Sequence, residues 1–174
     1  LDRQRFQLIF VDVEAKSPGT NPWTADYGTG DGTKALLLGD TVAREWVAAI
    51  ATPGGTGAVR MGFELALLAN FGVTTWVSNP TWPIHNSILK FMELRFREYR
   101  YFDSETGGID FDGMLQDLAG AAKGDVVLLH GCCHNPTGAN LTQDHWRELA
   151  ELAVDREFTP FVDIAYQGFG DGLE

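Results

Sequence analysis

Val126-Val-Leu-Leu-His130, then Thr142-Gln-Asp-His-Trp-Arg-Glu-Leu-Ala-Glu-Leu-Ala-Val-Asp155, then Thr159-Pro-Phe-Val-Asp-Ile164 decide the architecture of this chain. The first and third are short apolar runs with the length and composition of buried strands. The middle stretch has helical spacing: Trp146, Leu149, Ala150 and Ala153 fall on one face, and Leu141-Thr142 with Asp144 marks a capped start. Strand, helix, strand in that order predicts a βαβ unit, with parallel strands and a right-handed crossover.

The same alternation runs outward from this unit. Val47–Thr52, Val73–Ser78 and Arg97–Phe102 are strand-like, and Gly57–Asn70, Pro83–Met92 and Phe111–Ala122 carry helical patterns. Residues 34–174 are therefore expected to form an α/β domain, a mainly parallel sheet with helices on both faces. Residues 1–33 differ. They offer one short strand, Phe6–Val13, and then turn formers, Ser17-Pro-Gly-Thr-Asn-Pro-Trp23 and Tyr27-Gly-Thr-Gly-Asp-Gly32. They form an N-terminal segment whose placement the sequence leaves open.

Bulk properties narrow the function. With 44% hydrophobic and 21% charged residues among 174, the chain can bury a core and is no disordered tract. A net charge of −11 argues against nucleic acid and anionic membrane as partners, which call for basic patches. No apolar run approaches the ~18 residues of a membrane span. The two cysteines, Cys132 and Cys133, are adjacent, a poor arrangement for a mutual disulfide, and point to a reducing compartment. A soluble, cytoplasmic protein is expected.

In a parallel α/β sheet, ligands gather at the carboxyl ends of the strands. Four such ends carry unusual residues. Thr52-Pro-Gly-Gly-Thr-Gly57 follows a strand and opens a helix, so backbone N–H groups, the helix dipole and the Thr56 hydroxyl can cradle a phosphate. A glycine-rich tight turn is the other reading. Asn79-Pro-Thr-Trp-Pro-Ile-His85 sets an indole between prolines, either to stack on a flat ring or to pack in the core. His130-Gly-Cys-Cys-His-Asn-Pro-Thr-Gly138 holds four side chains that suggest metal, but without the C-x2-C spacing of zinc sites, and no metal is expected. Asp163, closing an apolar strand in Phe161-Val-Asp-Ile-Ala-Tyr-Gln-Gly168, needs a cation or donors to offset its burial, unless it only caps the next turn.

Taken together and in this order, the four motifs resemble the aspartate and aromatic amino acid aminotransferases of fold type I, over about residues 35–174. The resemblance implies a pyridoxal-5′-phosphate cofactor, amino acid and 2-oxo acid substrates, and a homodimer. It implies that Gly54, Gly55 and Thr56 bind the phosphate and that Trp82 stacks on the ring. It implies that Asp163 pairs with the pyridine nitrogen, and that Asn135 and Tyr166 donate to the phenolic oxygen. Trp82 and Asn135 then also border the substrate, while His85 and His130 orient the groups around Asp163. The family's Schiff-base lysine follows the Tyr166-Gln-Gly-Phe stretch at a distance, whereas Lys16, Lys34, Lys90 and Lys123 all precede it. The expectation is a partial cofactor-binding large domain whose lysine lies beyond Glu174. The rivals are another fold type I enzyme, a lyase or decarboxylase, and a non-catalytic fragment or relative that binds a phosphate ligand.

Overall fold

A computed structural model of the chain describes Leu8–Val11 and residues 52–170. In chain order its elements are β1 (Leu8–Val11), α1 (Gly54–Ala69), β2 (Thr75–Asn79), α2 (Pro83–Phe91), β3 (Phe96–Arg100), β4 (Phe102–Asp103), β5 (Gly108–Ile109), α3 (Phe111–Leu118), β6 (Val126–His130), α4 (Gln143–Arg156) and β7 (Thr159–Ile164). Five strands form one sheet in the spatial order β1-β7-β6-β2-β3, every pairing parallel. β4 and β5 form a small antiparallel pair of their own.

β6 shows why the sheet is covered on both faces. All five of its residues are buried, the pattern of a central parallel strand. Its alternation divides the core in two. Val127 and Leu129 join Trp76, Tyr99, Met114, Leu118 and Leu149 against α3 and α4. Val126 and Leu128 join Val59, Phe63, Val77, Leu89 and Phe161 beneath α1 and α2.

The βαβ unit read from 126–164 is present with the expected strands. Thr142 caps α4: its hydroxyl accepts from His145 N at 3.2 Å, and His145 Nδ1 accepts from Thr142 N at 3.3 Å. This is a capping box with histidine in the place usually held by Glu or Gln. The buried face is shifted from the expected one, since Ala150 is exposed and partly buried Leu152 packs instead. α3 stops at Leu118, short of the expected Ala122, because Gly120 and Ala121 turn off through bonds to Asp117 O and Leu118 O. α1 begins at Gly54, three residues before the expected start. Arg97–Phe102 was expected as one strand, but β3 ends at Arg100, whose backbone N and guanidinium are both held by Asp117. β1 lies within the expected Phe6–Val13 and pairs with β7 from Leu8↔Phe161 to Val11↔Ile164. Of the strand expected at Val47–Thr52, only Thr52 lies within the described residues.

Gly131 marks the turn out of β6. Its N–H donates to Asp163 O at 2.8 Å, and a Cβ there would stand 2.6 Å from Ile164 Cγ1 and 3.2 Å from Val162 Cγ1. Gly131→Ala is expected to destabilise the fold by about 1–3 kcal/mol through overpacking. A urea unfolding midpoint unchanged by the substitution would count against this close approach.

Candidate functional site

The carboxyl ends of β2, β6 and β7 meet around a chain of hydrogen-bonded side chains. Asp163, next to last in β7, has its side chain 12% exposed, and its Oδ2 lies 3.0 Å from His85 Nε2. His85, fully buried in the first turn of α2, places Nδ1 2.8 Å from Thr81 Oγ1. That hydroxyl lies 3.1 Å from His130 Nε2, at the end of β6. A carboxylate only accepts, so His85 Nε2 carries the proton toward Asp163. In the neutral ring Nδ1 then accepts from the Thr81 hydroxyl, which accepts in turn from His130. Trp82, at the N-cap position of α2 and partly buried, meets the His85 ring edge-on at 5.3 Å.

A second network braces the loop after β6. Buried His134 places Nε2 3.0 Å from Ser78 Oγ and Nδ1 2.8 Å from Thr137 Oγ1. Its ring stacks on Tyr101 at 3.9 Å, and the Tyr101 hydroxyl donates to Ala139 O at 2.7 Å. The stretch is thus fixed on both sides of Asn135. His130 and His134 are tilted against each other at 4.2 Å. Both imidazoles are engaged with hydroxyls.

Burial disfavours charge on both rings. Burial first, then the neighbouring histidines, hold His130 down to about 2; burial, then His85, holds His134 down to about 4. The unfolded chain takes up these protons near pH 6.5, and the folded chain does not. Stability from this source is therefore complete above about pH 6.5 and declines as pH falls toward about 4, by up to about 1.4 kcal/mol per pH unit for each ring. Urea unfolding should show a clear loss between about pH 7 and about pH 5, and a flat profile there contradicts these two burials.

The remaining expected residues lie around this centre. Gly54, Gly55 and Thr56 form the first turn of α1, where Gly54 takes φ +72°. Pro53 at the N-cap supplies no side-chain bond, and the turn holds no acidic residue. The leading N–H groups of a helix have no intrahelical acceptor, so this end presents donors and positive potential. Gly57 brings the Pro53 ring close: a Cβ would stand 2.9 Å from Pro53 Cδ. Asn135 is partly buried and Tyr166 is 42% exposed. Their loops adjoin, since Cys132 Sγ donates to Tyr166 O at 3.0 Å. Among the described residues no hydrogen bond links the side chain of Asn135, Tyr166 or Thr56 to Asp163.

Thr81, Ser78 and His134 escaped the sequence reading as site residues. Thr81 was visible only as the residue between Pro80 and Trp82, and nothing in that spacing announces a hydroxyl shared by two histidines. A separate cleft of about 370 Å³ runs along α2 past Asn86, Ser87, Lys90 and Glu98. It shares Thr81 with the network but does not include Asp163, so it is not the site described here.

The parallel sheet with helices on both faces, and the largely buried Asp–His pair at its carboxyl edge, are shared with solved fold type I aminotransferases. The family described as aminotransferase class I and II matches residues 32–174, and the chain belongs to it. It is 59% identical over 139 residues to the aromatic-amino-acid aminotransferase of Paracoccus denitrificans, covering 80% of this chain and 35% of that protein. It is 43% identical over 169 residues to the aspartate aminotransferase of Haemophilus influenzae, covering 95% and 42%. Among solved structures, the aromatic-amino-acid aminotransferase of Burkholderia pseudomallei, covalently bound to pyridoxal phosphate, superposes with a TM-score of 0.76 at 35% identity, over 91% of this chain and 41% of that one. The chain thus spans well under half the length of these relatives.

Proposed function

We propose that the complete protein is a pyridoxal-phosphate-dependent aminotransferase, moving an amino group between an aspartate- or aromatic-type L-amino acid and 2-oxoglutarate. The observation that carries this reading is Asp163 at the end of β7. Its Oδ2 is held by His85, and among the described residues Oδ1 has no hydrogen-bond partner. A carboxylate so placed suits a protonated ring nitrogen. The uncapped first turn of α1 suits a phosphate, and the indole of Trp82 offers a flat apolar surface, so the residues present fit this cofactor. When bound, it supplies an electron sink for the carbon that carries the amino group.

In this reading Asp163 holds a proton at the ring nitrogen, and His85 and Thr81 keep the carboxylate oriented. His130, neutral, ends that chain without adding a competing positive charge. Thr56 and the Gly54–Gly55 backbone bind the phosphate. Asn135 and Tyr166 donate to the phenolic oxygen, and Trp82 and Asn135 border the substrate. Relatives named for aspartate and for aromatic substrates both support the substrate class.

The Schiff-base lysine belongs to the part of the protein outside Leu1–Glu174. Of the two lysines within the described residues, Lys90 is exposed and lines the separate cleft along α2, and Lys123 pairs with Glu157 at 3.0 Å. The resemblance and the acidic balance further support a cytoplasmic homodimer without a nucleic-acid or membrane partner. Among the described residues no helix is long and apolar enough to cross a membrane.

Borohydride reduction in the presence of pyridoxal phosphate, followed by peptide mapping, tests the reading. The complete protein should carry one reduced adduct on a lysine outside residues 1–174. The 174-residue chain alone should carry none in stoichiometric amount on Lys16, Lys34, Lys90 or Lys123. An adduct on one of those four, accompanied by amino-group transfer, overturns the assignment.

A further inference from the structure

The cleft along α2 takes no part in that reading, and the inference drawn from it stands independently. Its walls come from the end of β2 and the loop after it, from α2, and from β3 at the sheet edge. Glu98 of β3 pairs in register with Val77, whose side chain packs beneath α1 and α2. Alternation along the strand therefore puts the Glu98 carboxylate on the α2 side of the sheet. Lys90, in the last turn of α2, lines the same cleft.

Both side chains are exposed, and among the described residues neither has a hydrogen-bond or ion-pair partner. Opposite charges that line one cavity without bridging leave room for a guest that carries both. A guest with a single charge would leave one of them unmatched. Asn86 adds an acceptor to the same wall: its side-chain oxygen is buried with no hydrogen-bond partner, a costly state that a donor relieves. The hydroxyls of Ser78 and Thr81 are already engaged by His134, His85 and His130. Polar recognition thus falls to Lys90, Glu98 and Asn86, while the rings of Pro80 and Pro83 supply apolar surface. The volume, about 370 Å³, lies within the range of small-molecule pockets, about 300–1,000 Å³.

We propose that this cleft binds a free α-amino acid with a compact apolar side chain. Its carboxylate lies on Lys90, its ammonium on Glu98 and Asn86, and its side chain on the two prolines. The Glu98 carboxylate rejects a plain anion, and the Lys90 ammonium rejects a plain cation.

The test uses L-proline, a compact zwitterion that lacks the primary amine of an amino-group donor. Equilibrium dialysis of labelled L-proline against the complete protein should show saturable binding, with a dissociation constant on the order of 1 mM. Lys90→Met and Glu98→Gln, with unchanged circular dichroism, should each weaken it by about 2–5-fold, the size of a partly solvated charge contact. N-acetyl-L-proline and L-prolinamide, each keeping one of the two charges, should bind less well than L-proline. Full affinity in either folded variant, or equal affinity for L-proline and either analogue, overturns the proposal. So does the absence of saturable binding at roughly ten times that concentration.

Discussion

Replacing Asp163 with Asn in the complete protein is expected to lower amino-group transfer by about 10²–10³-fold, the loss typical when one preorganised electrostatic partner is removed. The fold should survive, because asparagine has nearly the same shape and can still hydrogen-bond to His85 Nε2, now 3.0 Å from Asp163 Oδ2. What disappears is the negative charge, which in the proposed function would keep a proton on the ring nitrogen of the cofactor. Initial rates measured beside circular dichroism separate the two effects. Near-normal turnover by a folded Asp163→Asn protein would remove Asp163 from the role given to it.

Gly55→Val is expected to weaken retention of pyridoxal phosphate by roughly 10–100-fold, as expected for the loss of one or more hydrogen bonds to a charged group. Gly55 is the second residue of α1, next to Gly54 with its φ of +72°. A branched side chain there crowds the approach of a phosphate to the backbone N–H groups and stiffens a turn that begins in a left-handed conformation. Equilibrium dialysis of the cofactor gives the affinity directly. An affinity equal to wild type places the phosphate elsewhere.

Two strands were legible as short apolar runs: Val126–His130, buried throughout, and Thr159–Ile164, partly buried around Phe161, both have the expected limits. Helix ends were less legible. The start of α1 was displaced because the glycines of Thr52-Pro-Gly-Gly-Thr-Gly57 read as loop, while Gly54–Gly57 already lie within α1. Ala150 shows the limit of a periodic pattern built from small residues. An alanine satisfies the spacing of an apolar face without being drawn into it, and the larger Leu152 takes the contact.

At the site, Asp163, His85 and His130 could be named from the sequence, but what joins them could not. Thr81 is 49 residues from His130 and 4 from His85, and its hydroxyl serves both. Only the parallel pairing of β2 beside β6, and of β6 beside β7, brings those three strand ends to one place. His134 was given no role in the sequence reading, and its ring is the brace between Ser78, Thr137 and Tyr101.

The central claim is that these strand ends belong to an enzyme that moves amino groups, and isotope transfer tests it most directly. The complete protein, loaded with pyridoxal phosphate, is given 2-oxoglutarate and an ¹⁵N-labelled L-amino acid, aspartate in one reaction and phenylalanine in another. The account predicts ¹⁵N-glutamate in at least one of them, and its disappearance with Asp163→Asn. A folded, cofactor-loaded wild-type protein that produces no labelled glutamate from either amino acid contradicts it.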